Sequence, residues 1–290
     1  MAEKDDAKRA QEEARRRRKQ EIADAQARTT RLLEQARRQV LADVADTDWE
    51  RYFVPRLTAA IDRQLEQWRR DQTEGLQRDM SSLWTLGEEM TLSTVSAMGI
   101  ELGLPEIPTS LLLAMQQKAG QRISGLANFA GDQVDREIAS ILLAGKPREE
   151  AIAAIGKSLT SGAREGYKPE GIFGTVNARA RFIAQQELGT VYAKAQDLRR
   201  DQVVKHAPDL QKVWVHDGHP FKPRPDHVAM HGQRRDQDEE FSNGLMFPRD
   251  PQGDIAETAG CTCDTFLYRP EYGSVHEFIG PATGRMEEAA

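Results

Sequence analysis

Polar residues fill the first twenty positions of the chain, and apolar ones then return at helical spacing. Residues 1 to about 45 contain neither Gly nor Pro and are rich in Ala, Glu, Gln and Arg, which predicts one long helix. Its first twenty residues carry almost no large apolar side chain, so that part is expected to have no face to bury and to fray on its own. From Ile22 onward, Leu33, Val40 and Val44 fall near heptad spacing, with Leu32 and Leu41 widening the stripe. That pattern suits packing on another helix. Asp48-Trp49 stands where it would cap a second helix, with Pro55 in the first turns. Leu57, Ile61, Leu65 and Trp68 then form a core-facing stripe. A third helical stretch holds Leu76, Met80, Leu83 and Trp84, and the Gly99, Gly103 and Pro105-Glu-Ile-Pro108 cluster breaks the pattern.

Thr109 or Ser110 caps the next predicted helix, which carries Leu112, Met115, Ala119, Ile123 and Leu126 and continues through Val134, Ile138, Ile141 and Leu142. Gly145-Lys-Pro147 ends it, a short amphipathic helix covers 151–159, and 161–174 reads as loop. Asn177 is expected to cap a helix over 178–205, with Ile183, Leu188, Val191 and Leu198 as apolar positions. After Pro208 the texture changes. Eight of the thirteen prolines lie from there onward, and only brief strands fit, at 213–215, 266–268 and 275–278. The pattern predicts a mainly α protein, a long helical N-terminal region followed by a small loop-rich α+β C-terminal module. The expected ranges are an extended helical arm at 1–45, a helical region at 46–141, a C-terminal domain at 142–280 with its compact part at about 208–280, and a tail at 281–290.

Composition narrows the function classes. Charged residues are 30% and aromatics 6%, which fits long solvated helices. A net charge of −6 argues against a surface built throughout for phosphate, although Arg15, Arg16, Arg17, Arg18 and Lys19 form a local basic run that is a candidate nucleic-acid contact. No apolar run spans a bilayer, and the N-terminal residues lack the apolar segment of a secretory signal. A soluble protein made in a reducing compartment is the expectation.

The unusual chemistry is confined to the last third. All six histidines and both cysteines lie between His206 and His276. If Pro225 opens a helix, His227 and His231 share one face; if Cys261-Thr-Cys263 is extended, both thiols point to one side. Those four residues, His227, His231, Cys261 and Cys263, are the candidate metal ligands, and zinc is the metal that such a tetrahedral set would take. The competing reading has a histidine hydrogen-bonded to Asp217 or Asp226, with the cysteines as small buried hydrophobes. A disulfide between them is disfavoured by the strain of i to i+2 closure. Val228 occupies the place of the glutamate in a His-Glu-x-x-His protease helix, which removes the general base. The rival functional class is a metal-dependent nuclease or toxin-like enzyme built on His216, Asp217, His219 and His227.

An ordered pattern runs through the same region: Ala184-Gln-Gln-Glu187, Trp214, Asp217, Arg224-Pro-Asp226-His227, Gly232-Gln233, Phe241, Pro248-Arg-Asp250-Pro251, Glu257 and Cys261-Thr-Cys263. Over roughly 142–268 it resembles the minor head protein family of tailed bacteriophages, the group of the phage Mu F protein. Gln185-Gln186 departs from the Arg-Thr of that family, and the stretch after His216 is longer than its usual form. The resemblance implies a non-enzymatic, low-copy virion component made in the host cytoplasm and located at the portal vertex or inner capsid. Its implied work is head morphogenesis, with DNA packaging or ejection as an accompanying role. Its implied partners are the portal protein, the major capsid or scaffolding protein and packaged DNA, without a membrane during assembly. Helix-mediated self-association is a further expectation. Extended as helix, residues 1–44 would reach about 66 Å towards such a partner.

Overall fold

The computed structural model describes residues 2–46, 53–144, 148–159, 171–218 and 223–282. Five helices make up most of it: α1 (Ala2–Asp46), α2 (Phe53–Ala97), α3 (Ser110–Leu143), α4 (Arg148–Ser158) and α5 (Gly171–Val203). The mainly α class with a small C-terminal α+β part is therefore as expected. Several boundaries are not. The second and third predicted stretches are one 45-residue helix, α2. Asn177 lies inside α5 rather than at its start, where its side-chain oxygen accepts a hydrogen bond from Thr30 at 3.1 Å. Asp48-Trp49, Gly145-Lys-Pro147 and most of the 161–174 loop lie outside the described residues. Among the described residues no helix is long and apolar enough to cross a membrane.

The chain forms two compact units that do not follow the expected linear ranges. One contains Met1–Ile22, Asp79–Met115 and Gln186–Ala290; the other contains Ala23–Arg78 and Gln116–Gln185. The described residues of the second unit are almost all helical. Leu57, Ile61, Leu65 and Trp68 of α2 are buried as the stripe predicts, with Leu33 and Val40 of α1, Ile123, Leu126, Val134 and Ile138 of α3, and Phe173, Val176 and Ala180 of α5.

The first unit holds a three-stranded antiparallel sheet in the order β2-β1-β3, from β1 (Gln211–Val215), β2 (Arg234–Arg235) and β3 (Asp264–Tyr268). Val213 pairs with Phe266 and with Arg234 in the central register. Around the sheet lie α6 (Pro225–Ala229), α7 (Ile255–Thr258) and α8 (Val275–Ile279). The strand expected at 275–278 is thus a helix. Phe278 and Ile279 are buried as neighbours, which alternation across a strand would not allow. The two-residue β2 was too short to leave an alternating pattern.

Residues 1–22 are not a free arm. Ala7, Gln11, Ala14 and Arg18 are all buried, at spacings of four, three and four. This is a heptad stripe written in small and polar residues, so a count of large apolar side chains misses it. Ala7 joins Val95, Met98, Val203, Ala207, Leu210 and Leu267 in a core cluster. The Gln11 side chain bonds both backbone groups of Leu267, donating to its carbonyl at 3.1 Å and accepting from its N–H at 2.6 Å. Leu267 lies on an edge strand, and the amide of Gln11 takes the place of a missing neighbour there. Arg15 and Arg18 of the basic run likewise turn inward, while Arg16, Arg17 and Lys19 are exposed. Arg18 meets Asp217 at 3.1 Å and Asp264 at 2.9 Å, Lys19 meets Asp217 at 2.7 Å, Arg15 meets Asp217 at 3.5 Å, and Arg17 meets Glu89 at 3.7 Å. Four of the five candidate nucleic-acid contacts are paired with the protein's own carboxylates; Arg16 is exposed.

Two predictions follow from this packing. Arg18→Met leaves two buried carboxylates without their shared guanidinium and lowers unfolding free energy by about 3–5 kcal/mol, whereas Arg16→Ala stays within about 0.5 kcal/mol. Urea denaturation of both variants measures the contrast. Lys212, buried in β1, donates to the carbonyls of Gln237 at 3.0 Å and Met246 at 2.9 Å. Burial, aided by Arg200, pushes its ammonium from the ordinary 10.5 down to about 8. Between those values the unfolded chain holds a proton that the folded chain releases. Folding stability therefore rises with pH across the window, and the gain is lost as pH falls through about 8. Lys212→Met should flatten this rise, which amounts to about 3 kcal/mol, in denaturation curves recorded on either side of the window.

Candidate metal centre

Each donor of the C-terminal cluster is placed by a short element with an identifiable local cause. Pro225 at the first position of α6 presets its backbone, and the Arg224 side chain ties the helix start to the Ala259 carbonyl at 2.7 Å. His227 then faces inward and is 2% exposed. Residues 261–263 run extended into β3, so both thiols point one way while the Thr262 hydroxyl donates to the Gly218 carbonyl on the other side. The expected geometry of the cysteine pair is therefore present, with both thiols free of a disulfide. Cys261 Sγ lies 3.5 Å and Cys263 Sγ 3.6 Å from His227 Nδ1. His227, Cys261 and Cys263 form a group able to hold a metal ion.

His231 does not join them. α6 ends at Ala229, and Gly232, with φ +88°, turns the chain, so His231 leaves the face it would share with His227 in a longer helix. Its Nδ1 accepts the backbone N–H of His216 at 3.1 Å and its Nε2 donates to the Gly280 carbonyl at 2.9 Å. Both ring nitrogens are used. The imidazole nearest the thiols besides His227 is His216, whose Nδ1 lies 3.5 Å from Cys263 Sγ. His219 lies outside the described residues.

The partner of His227 is neither Asp217 nor Asp226. α7, capped by Asp254 accepting from Ala256 N at 2.8 Å, presents Glu257, whose carboxylate takes the Nε2 proton of His227 at 2.8 Å. That bond leaves the Nδ1 lone pair facing the sulfurs, the arrangement by which a carboxylate orients a metal-binding histidine. Asp226 is exposed, though its carboxylate is near His227 and Glu257. Asp217 instead receives Arg15, Arg18 and Lys19. Its carboxylate is committed to those cations, which removes it from the nuclease set.

The surrounding pattern residues form the wall. Trp214 packs edge-on against His227 at 5.2 Å and Phe241 at 5.1 Å. Met230, Leu245 and both cysteines complete the apolar cluster. Pro248 and Pro251 bracket a turn in which Asp250 accepts from Met246 N at 3.2 Å and from Gln252 N at 3.0 Å. Glu187 is buried on α5, and its neighbour Gln186 accepts the Gly260 N–H at 2.8 Å, fixing the residue before Cys261.

Arg249 was not signalled by the sequence. It sits at φ 66° within the proline-bracketed turn and is 2% exposed. Its guanidinium lies against Gly189 of α5, where any Cβ would overlap it. Among the described residues no hydrogen bond or ion pair holds that guanidinium; Nε is buried without a partner. Burial lowers its pKa to about 10, while the nearby Cys261 thiolate favours its charge.

The electrostatics favour a thiolate. A hydrogen bond from Cys263 holds Cys261 well below the ordinary thiol value, against the cost of burial, with His227 and Arg249 adding to the effect. Cys263 is pushed well above it by the same bond and by burial. Burial opposes the charged form of His227, but the Cys261 thiolate and Glu257 outweigh it and raise its pKa. Cys261, His227 and Glu257 thus form a linear relay of the kind that activates nucleophiles. Here, however, Cys261 is 1% and His227 2% exposed, so neither faces solvent from which a substrate would arrive. No family model, curated protein or solved structure matches the chain.

Proposed function

We propose that this chain is a minor head protein of a tailed bacteriophage, a virion component that acts in head morphogenesis at the portal vertex or inner capsid. One observation carries the reading. Residues of the ordered pattern, spread from Trp214 to Cys263, meet around a single buried centre, where Trp214, Phe241, His227, Glu257, Cys261 and Cys263 are in contact. A linear pattern whose members converge is a structural signature rather than a coincidence of composition, and it supports the family likeness that the pattern suggests. The burial of the donors favours an architectural centre over a catalytic one, since a structural metal site is closed and a catalytic one keeps an open position. The portal protein and the capsid or scaffolding protein are the partners this reading implies. Arg15 and Arg18 are held by Asp217, which leaves the exposed Arg16, Arg17 and Lys19 as the part of the basic run open to a DNA contact.

The metal in this reading is zinc. Two thiolates and imidazole nitrogen form the soft-to-borderline donor set that zinc takes, and a small loop-rich module gains folding free energy from such a staple.

Heads assembled without this protein should be defective in portal content, DNA content or infectivity. Normal composition and full infectivity of heads from a phage lacking the gene would overturn the assignment. Elemental analysis of protein purified without a histidine tag should find one zinc per chain. Chelation should lower the melting temperature, and Glu257→Gln should weaken zinc by about 10–100-fold by loosening His227. A zinc content near zero together with unchanged melting in chelator would remove the metal.

A further inference from the structure

We propose that His216 is the fourth ligand of the zinc centre, making it a closed Cys2His2 site of His216, His227, Cys261 and Cys263. The proposal rests on the zinc reading above and goes beyond it, because His216 belongs neither to the group of three donors nor to the set that sequence spacing suggests.

Zinc–sulfur bonds of about 2.3 Å and zinc–nitrogen bonds of about 2.0–2.1 Å, set at tetrahedral angles, place sulfur and nitrogen about 3.6 Å apart. Three of the four thiol–imidazole separations among these residues are 3.5, 3.6 and 3.5 Å, the third being Cys263 Sγ to His216 Nδ1. Three of the six edges of the expected tetrahedron are in place, and His216 stands outside the 4.8 Å that holds the other three donors together. Charge is compatible with this: two thiolates already neutralise a divalent cation, so a neutral imidazole as fourth ligand keeps the buried site uncharged, where net charge would be costly.

The framework around His216 is also that of a ligand. Its backbone N–H is held by His231 Nδ1, and His231 is anchored through Nε2 on the Gly280 carbonyl. The next residue, Asp217, is clamped by Arg15, Arg18 and Lys19. With the backbone fixed on both sides, metal binding would be completed by a turn of the His216 ring that carries Nδ1 from Cys263 towards the other donors. His231 is then a positioning residue acting through His216. The histidine four residues after His227 would then serve the site without being a ligand.

The test uses the full chain, with zinc and cobalt(II) as the probes. Wild type should bind one cobalt ion with the intense visible absorption of a tetrahedral, thiolate-ligated centre. His216→Ala should weaken zinc by more than about 100-fold, beyond the 10–100-fold loss typical of a group that only orients a ligand, and should reduce the tetrahedral cobalt absorption. His231→Ala should fall within that orienting range and keep the wild-type band shape. His216→Cys should retain tetrahedral binding and strengthen the sulfur-to-cobalt charge-transfer absorption. A merely structural histidine would not produce that signature, and the reading survives even if His216→Ala fails to fold. Wild-type cobalt binding with unchanged affinity and spectrum in both His216→Ala and His216→Cys overturns the fourth-ligand assignment alone. No metal bound by wild type overturns the zinc reading beneath it.

Discussion

The first unit depends on one buried guanidinium. Arg18 is 3% exposed and joins two carboxylates whose side chains are 1% exposed or less, Asp217 after β1 and Asp264 at the head of β3. It also donates to the carbonyls of Thr262 and Cys263, and its guanidinium lies over the Tyr192 ring at 5.2 Å. Burial alone would lower its pKa, but Asp264, Tyr192 and Asp217 together hold the charge firmly in place. A buried ion cluster of this kind adds less net stability than an apolar contact of equal size, yet removing one member is severe, because the others stay desolvated and unpaired. Its value here lies in position. Asp217 follows His216 and Asp264 follows Cys263, so a residue of α1 fixes the backbone beside two of the metal-site residues.

That arrangement explains why the first half of α1 was legible as a helix but not as a packed one. Absence of Gly and Pro and the Ala/Glu/Arg content identify helix from local propensity alone. Burial needs a partner surface, and the surface facing residues 7–18 is partly polar: the open edge of β3 and the two aspartates. The complementary stripe is Ala7, Gln11, Ala14 and Arg18, small where helix and core approach closely and polar where backbone or carboxylates must be satisfied. The heptad spacing was written in the sequence. The identity of what it faces was not, because that surface comes from residues about 200–250 positions away. In the second unit, by contrast, Leu57, Ile61, Leu65 and Trp68 face other apolar residues, and the stripe could be read directly.

The metal site divides in the same way. Cys261 and Cys263 were readable because extended backbone places i and i+2 on one side wherever the strand goes. His227 was readable because Pro225 marks the helix start. His231 was assigned by continuing that helix two residues past its end at Ala229, before the turn at Gly232 with its positive φ. His216 was read only as a member of the nuclease set and not as a partner of the cysteines, since only the pairing of β1 with β3 in register Val215 to Asp264 brings it beside Cys263. Arg249 is hidden for a related reason: it is buried only because Gly189 leaves space on α5.

These couplings bear on why a protein would bury a relay of Cys261, His227 and Glu257. In an open cleft such a chain would lower a thiol pKa for attack. In this wall of Trp214, Phe241, Met230 and Leu245 the same lowering prepares a ligand, since metal binding requires the thiol to lose its proton first. The buried and otherwise unpaired Arg249 contributes by favouring negative charge on both sulfurs. Whatever occupies the centre is then linked thermodynamically to the docking of α1, because the loop carrying Cys261 to Asp264 is held by Arg18 from one side and by the His227–Glu257 pair from the other. An ion that binds the folded loop and not the unfolded one stabilises both attachments together. In the proposed reading, the chemistry that looks catalytic in the sequence fastens a helix to a sheet.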